Sequence, residues 1–259
     1  MSAITIRGLA ITPIKGTRLQ TVERLVLDAH GVRENRRFFL VDGRDRMVNG
    51  KQLGQLTALV SSYSDSERRL TITFPDGREL DGEIRLGAPV TTSFYGREAT
   101  GELVEGPWSG ALSSYAGQPL RLVEASDGDA VDRGSDGAVS LISKASLDRL
   151  AEVGGRDEVD PRRFRMLIEI DGVDAHAEDR WVGRTVRIGE ASVRFDGHVG
   201  RCLVTSRDPE TGRIDLPTLE ILGEYRRGQG TTEPLPFGIY GAVVDPGEIR
   251  VGDRVLDVA

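Results

Sequence analysis

Cysteine is nearly absent from this chain, because Cys202 is the only thiol among 259 residues. A single cysteine can form neither an internal disulfide nor a multi-cysteine metal site, which suits a reducing compartment, and we expect a cytoplasmic protein. The sequence also lacks any apolar run near 18 residues, so we expect no membrane span.

The chain also lacks a positive net charge: its formal net charge is -7 and its isoelectric point is about 5.2. This balance argues against nucleic acid or an anionic membrane as the main partner. There is no Gly-Lys-Ser/Thr phosphate loop and no convincing dinucleotide glycine pattern. An anionic ligand would therefore have to be held by a local cluster of basic side chains.

The chain is rich in short strand-like runs. Its 32 glycines and 11 prolines separate segments of Val, Ile, Leu and Thr, among them residues 3–11, 70–74, 185–188 and 239–244. This pattern predicts a mainly β protein, a β-barrel or sandwich, with a few short helices. Turn pairs at 76–77, 171–172 and 246–247 predict hairpins.

Helices are predicted over residues 109–116, 143–153 and 217–227. Ser143 is a candidate N-cap with glycine at 154 as the stop, and Pro217 suits a first helical turn. A weak boundary near 101–109 predicts two domains, an N-terminal one over 1–105 and a C-terminal one over 106–259.

The surroundings of Cys202 favour a reactive thiol over a buried small hydrophobe, which is the usual role of a lone cysteine. Arg201 and Arg207 bring positive charge that favours thiolate, and Gly200 leaves room for close approach. His198 could share a strand face with Cys202. The intervening glycines and the absence of peptidase motifs argue against a Cys–His hydrolase.

Basic residues stand where apolar runs begin or end, as Lys15, Arg37 and Arg165 do. Charged groups at the edge of a core need exposure or an anionic partner. Salt bridges with the many carboxylates would satisfy them. Together with a thiolate, they would also suit an anionic, phosphate-bearing ligand that contains a metal.

Several segments resemble one family. RCLVTSRDPETG resembles the R-C-x-x-T-T/S-x-D-P-x-T-G stretch of proteins with a molybdenum cofactor sulfurase C-terminal (MOSC) domain. ITPIKGTRL and HGVRENRRFFLVDG resemble the β-barrel module that precedes this domain in the amidoxime-reducing components and their bacterial relatives. WSGALSSYAGQPLRLVE, RRFRMLIEIDG and FGIYGAVVDPGEIRVGDRV continue the likeness in order, so it covers nearly the whole chain.

The resemblance implies a MOSC N-terminal β-barrel followed by a MOSC domain that binds molybdenum cofactor, and pyridoxal phosphate is not expected. It implies that Cys202 is the thiolate ligand of molybdenum and the catalytic residue, and that Lys15, Arg37 and Arg165 contact the cofactor. The implied activity is an oxidoreductase that reduces small N-hydroxylated compounds with electrons from a separate redox protein.

The chain departs from the family pattern at three positions near these residues. Gly16 stands where the family has serine, and Met166 and Leu167 replace proline and asparagine. Two alternatives stay open: a carrier that delivers molybdenum cofactor or persulfide sulfur without turnover, and a barrel without cofactor that serves as an interaction or small-molecule module.

Overall fold

The computed structural model describes residues 3–94, 97–126, 131 and 135–258. Strands dominate its first half: Thr5–Ile11 (β1), Gln20–Val22 (β2), Arg24–Leu27 (β3), Phe38–Asp42 (β4), Met47–Val48 (β5), Val60–Ser64 (β6), Arg69–Thr73 (β7), Glu79–Glu83 (β8), Arg85–Phe94 (β9) and Arg97–Glu105 (β10). The later strands are Leu120–Ala125 (β11), Val139–Ser143 (β12), Ile168–Asp171 (β13), Thr185–Ile188 (β14), Ala191–Gly200 (β15), Pro236–Asp245 (β16), Gly247–Arg250 (β17) and Val255–Val258 (β18). The predicted mainly β class is confirmed.

Three α-helices occur in the described ranges, at Trp108–Ala116 (α1), Lys144–Val153 (α2) and Thr218–Tyr225 (α3). Ser143 caps α2 by accepting a hydrogen bond from the amide of Ser146 at 3.1 Å, as its position predicted. Gly117 ends α1 in the left-handed conformation, with φ of 70°. Pro217 is the N-cap of α3 rather than a residue of its first turn.

The largest sheet has eight strands in the order β18-β14-β15-β16-β12-β13-β1-β2. Its strand pairing stops short of a closed barrel, but isolated backbone bonds join its two sides. The amide of Ile6 donates to the carbonyl of Asp253 at 2.9 Å, and the amide of Val255 donates to Ile4 at 2.9 Å. The sheet therefore curls into a barrel-like layer around an apolar core in which Trp181 stacks on Phe195.

A five-stranded sheet, β5-β4-β11-β10-β9, and a three-stranded sheet, β6-β7-β8, enclose a second core. Phe38 and Tyr63 meet there edge to face at 5.0 Å, and Trp108 of α1 is fully buried among them. No helix in the described ranges is long and apolar enough to cross a membrane.

The two halves exchange strands across the predicted boundary at 105–106. From the N-terminal part, β1 pairs with β13, and β3 pairs with β17. In return, β11 completes the sheet of β4 and β10. This exchange holds the loop after β1 between the two halves.

One of the three predicted hairpins is correct. Gly77, with φ of 82°, turns the chain between β7 and β8, which pair directly. The predictions at 171–172 and 246–247 are wrong. The strand β13 pairs with β1 and β12, and β17 pairs with β3, so these glycines redirect the chain to a different neighbour.

Candidate functional site

A cleft of about 1030 Å³ lies between the two halves. The N-terminal half contributes the segments around 15–16, 35–36 and 49–51, and the C-terminal half contributes residues near 136–140, 163–166, 194–205 and 233–240. Three of the predicted site residues, Lys15, Arg165 and Cys202, line this cleft. The structure thus brings together residues that are up to 187 positions apart in the sequence.

Cys202 stands just past the end of β15 in an extended conformation, with φ of -129°. Its carbonyl accepts hydrogen bonds from the amide of Thr205 at 3.1 Å and from the hydroxyl of the same residue at 3.0 Å. These bonds fix the backbone while the side chain stays exposed to the cleft. The prediction of a reachable thiol near a strand end is confirmed, and a buried small hydrophobe is excluded.

The two arginines beside Cys202 cross-link the chain. Arg201 donates to the carbonyls of Phe164 and Phe237, each at 2.8 Å, and it also lines the cleft. Arg207 donates to the carbonyls of Gly212 at 2.7 Å and Lys51 at 3.2 Å. Their guanidinium groups therefore fix the segments around the thiol, a role that sequence reasoning did not assign to them.

Lys15 lies where the loop after β1 joins the second sheet. Its amide donates to the carbonyl of Phe38 at 2.8 Å. The next residue, Gly16, has φ of 98°, and a Cβ there would lie 3.2 Å from the amide nitrogen of Gly50. A serine would be strained in this turn, which accounts for the glycine.

Arg165 connects the two halves across the cleft. It ends the 3-10 turn Pro161–Phe164 in the left-handed conformation, with φ of 56°. Its guanidinium donates to the carbonyl of Thr17 at 2.8 Å, and its own carbonyl accepts from the Arg36 guanidinium at 2.7 Å. Arg36 and Arg165 therefore reach the cleft from opposite halves.

Arg37 does not lie among the cleft residues, and its contact with the cofactor stays a prediction. Its guanidinium binds the buried carboxylate of Glu124 at 2.9 Å, and Arg68 binds the same carboxylate through two bonds of 2.6 and 2.9 Å. A buried carboxylate needs such partners, and Arg37 supplies one of them. Its neighbour Arg36 takes the place at the cleft.

The cleft is positive although the chain as a whole is acidic. Its cationic side chains are Lys15, Arg36, Lys51, Arg163, Arg165, Arg194 and Arg201, against the carboxylates of Asp136, Asp196 and Glu233. Arg163 is paired with Asp215 at 2.6 Å, and Arg194 with Asp196 at 2.9 Å. Among the described residues that line the cleft, seven cationic side chains thus stand against three carboxylates, and this lining favours an anionic ligand.

The departures at 166 and 167 fall on buried positions. Leu167 packs in the core of the large sheet and is 2% exposed. Met166 is 6% exposed, and its sulfur accepts a hydrogen bond from Arg201 at 3.0 Å. The apolar side chain at 167 therefore contributes to packing, whereas Met166 both packs and borders the cleft.

His198 does not line the cleft with Cys202, and its ring contacts other residues. Its ring Nδ1 accepts from the amide of Thr232 at 3.3 Å, and its Nε2 lies 3.7 Å from the carboxylate of Asp179. Burial lowers the pKa of His198, so the ring is favoured in its neutral form. A Cys–His pair is excluded, and no cluster of three metal-binding side chains occurs in the described part of the chain.

Sequence reasoning missed several residues that line the cleft, namely Asn35, Arg36, Asn49, Glu233 and Tyr240. Arg36 has φ of 55°, so it lies in a turn and alternation along a strand could not have indicated its direction. Glu233 sits in an irregular loop with no motif of its own. Its place depends on contacts with a strand more than 30 residues earlier.

Comparisons with known proteins agree with this architecture. The model of the MOSC N-terminal beta barrel domain matches residues 3–105, and that of the MOSC domain matches residues 128–256. Mitochondrial amidoxime-reducing component 1 of Mus musculus is 30% identical over 97% of this chain and 81% of its own length. Mitochondrial amidoxime reducing component 2 of Bos taurus is 28% identical, over 98% and 83%.

A plant protein matches a shorter part: the molybdenum cofactor sulfurase of Arabidopsis thaliana is 31% identical over 36% of this chain and 12% of its own length. Among solved structures, the YUAD protein of Bacillus subtilis aligns with 98% of this chain and 94% of its own, at 11% identity and a TM-score of 0.45. The two family models and the full-length relatives establish that this chain belongs to the MOSC family, with a MOSC N-terminal beta barrel domain before the MOSC domain.

Proposed function

We propose that this protein binds molybdenum cofactor and is an oxidoreductase that reduces small N-hydroxylated compounds with electrons from a separate redox protein. The observation that carries the proposal is the convergence of an exposed thiol and cationic side chains from both halves on one cleft. The full-length relatives support the reaction class, since they are named for reducing amidoximes, which carry an N-hydroxyl group.

The donor set of the cleft fits this cofactor. A cofactor whose pterin supplies most of the sulfur ligands needs only one further thiolate, and Cys202 is the one thiol of the chain. Lys15, Arg36 and Arg165 would hold its phosphate by charge-assisted hydrogen bonds. The cleft volume of about 1030 Å³ leaves room for a small substrate beside the cofactor. When bound, the cofactor supplies two-electron chemistry at a soft metal.

The protein's own residues would orient this group. The hydrogen bonds from Thr205 fix the backbone of Cys202 at the strand end, so the position of its sulfur depends on the side chain alone. Arg36 and Arg165 are tied to each other across the cleft, so a phosphate between them would meet donors already held in position. Arg201 would hold the neighbouring segments in place, because its guanidinium donates to the carbonyls of Phe237 and Phe164.

A carrier that delivers the cofactor or a persulfide sulfur is the second candidate. The exposure of Cys202 favours it, because a group to be transferred must be accessible to a partner. The two functions differ in turnover and share the same binding residues.

The deciding experiment is molybdenum analysis of protein made in a host that synthesises the cofactor, followed by turnover of a hydroxylamine or an amidoxime with a chemical reductant. We expect stoichiometric molybdenum and substrate-dependent oxidation of the reductant. Molybdenum without turnover would favour the carrier. Protein without molybdenum from such a host would refute the reductase and the cofactor carrier, and would leave only the carrier of persulfide sulfur.

A further inference from the structure

The cleft holds the carboxyl group of Glu233, which lies beside the strand end that carries Cys202. A Cβ added at Gly200 would lie 2.5 Å from its Oε2 atom, so the carboxylate rests on the bare backbone of this glycine. Gly200 is only two residues before Cys202, and all three residues line the cleft. The glycine thus makes room for a carboxyl group at a position two residues before the thiol.

The loop that carries Glu233 is anchored on both sides of it. On one side, the amide of His198 donates to the Thr232 hydroxyl at 2.8 Å, and the Thr232 amide donates back to the imidazole. On the other side, the amide of Arg201 donates to the carbonyl of Leu235 at 3.1 Å. Glu233 is thereby held against the strand end that presents the thiol.

The other carboxyl groups at the cleft differ from Glu233 in one of two ways. Asp196 is paired with Arg194 at 2.9 Å. Asp136 is exposed on a separate turn. Glu233 is half-buried, and its carboxylate makes no side-chain hydrogen bond or ion pair with another described residue. It is therefore the carboxyl group best placed to exchange a proton inside the cleft.

We propose that Glu233 donates the proton that lets the hydroxyl oxygen of the substrate leave as water. The inference rests on the proposed function. In that reaction the N–O bond breaks, two electrons come from the redox protein, and two protons are taken up to give an N–H bond and water. Arginine does not release a proton in proteins, so the cationic residues Arg36 and Arg165 cannot serve. A carboxyl group can hold a proton and release it, so Glu233 has the chemistry that the step needs.

The first test uses protein without cofactor and measures the alkylation rate of Cys202 by iodoacetamide. Glu233→Gln removes a negative charge near the sulfur, so we expect the rate at neutral pH to rise about threefold to tenfold. Asp136→Asn is the control and should change the rate less than twofold. Equal alkylation rates in the wild type and Glu233→Gln would show that the Glu233 carboxylate does not lie near the Cys202 sulfur, where the substrate would react. That result would overturn the inference.

The second test uses the molybdenum-loaded enzyme. Glu233→Gln should lower kcat by about 100-fold to 10,000-fold, the usual contribution of a positioned proton donor, and should change the pH profile of kcat. Molybdenum content should stay unchanged, and Glu233→Asp should restore part of kcat. A Glu233→Gln enzyme with wild-type kcat and pH profile would overturn the role of Glu233 and leave the proposed function standing.

Gly200→Ala provides a steric test that keeps the carboxyl group. The added methyl would displace the Glu233 carboxylate, the mobile end of its side chain, so the fold should be retained while kcat falls at least tenfold. Unchanged kcat in this variant would argue that the position of Glu233 is irrelevant. A wild type that holds molybdenum but reduces no N-hydroxylated compound would refute the proposed function, and the role of Glu233 would fall with it.

Discussion

Replacing Arg37 by alanine separates a structural role from a cofactor-binding role. Glu124 is 3% exposed, and its carboxylate is held by Arg37 from one side and by Arg68 through two bonds from the other. The hydrogen bonds to Glu124 and its charge raise the pKa of Arg68, so this guanidinium remains ionised. Arg37→Ala leaves this bidentate pair intact, and the buried carboxylate keeps one cationic partner.

The expected cost is therefore that of a hydrogen bond to a charged group, about 1.5–3 kcal/mol, and less than the cost of breaking a buried pair, about 3–5 kcal/mol. For a chain of this length, each kcal/mol lowers Tm by about 2–4 °C. A melt followed by circular dichroism should therefore show a fall of about 3–12 °C. Molybdenum content per folded chain should not change.

Arg36→Ala is the matched control, since it removes the same side chain one residue earlier. This variant should lose cofactor at least tenfold more readily than Arg37→Ala, because Arg36 lines the cleft and is tied to Arg165. The reasoning would be refuted if Arg37→Ala kept the wild-type Tm and lost its molybdenum. Arg37 would then be the cofactor ligand that the family resemblance implies.

Three further outcomes are expected. Cys202→Ser should keep the fold and lose reductase activity even with excess cofactor, since a hydroxyl is a poor ligand for a soft metal; retained activity would reject the thiolate role. Arg165→Ala should weaken cofactor binding by about 1.5–3 kcal/mol, roughly tenfold to hundredfold, so excess cofactor should restore part of its activity; no effect of added cofactor would count against a binding role. Burial, with a contribution from the charge of Arg226, lowers the pKa of His176 to about 4, below the value of about 6.5 in the unfolded chain. The unfolded chain thus binds more protons between these values, and stability that is complete above pH 6.5 should fall by up to about 2 kcal/mol by pH 5. Urea titrations at pH 7.5 and 5 should show a smaller loss for His176→Phe, and an equal loss would contradict the assignment.

Local signals in the sequence predicted those features of the fold that depend on neighbouring residues, such as the ends of helices. Ser143 and Gly117 act at helix ends through their own backbone geometry, and these helix boundaries were correct within a few residues. The long pair β9–β10 was not predicted, because its residues are largely polar and small and give no alternating apolar pattern. The exchange of β1 and β3 into the C-terminal sheets was also beyond sequence reasoning, since partners far apart leave no trace in a short window.

The residues of the candidate site also differ in whether a local sequence signal indicates them. Cys202 was found because a lone thiol before a turn is visible in the sequence, and Lys15 and Arg165 because charges border apolar strands. The sequence favoured Arg37 over Arg36, because the positive φ of Arg36, which places it in a turn beside the cleft, is not visible in the sequence. Glu233 was missed because its position is set by His198, through contacts that no motif encodes.

The exchange of strands between the two halves also restricts how far the cleft can open and close. If the halves were joined by a single linker, the cleft could open as a hinge, and its residues would meet only when a ligand closed it. Here β1 is hydrogen-bonded to the C-terminal sheet, while the loop that follows it is bonded to Phe38 of the N-terminal core. Opening the cleft would therefore strain these bonds or the short segment between them. Lys15 lies on that loop, so its distance from Cys202 is set by the two cores, and ligand binding at this cleft carries little cost of reorganisation.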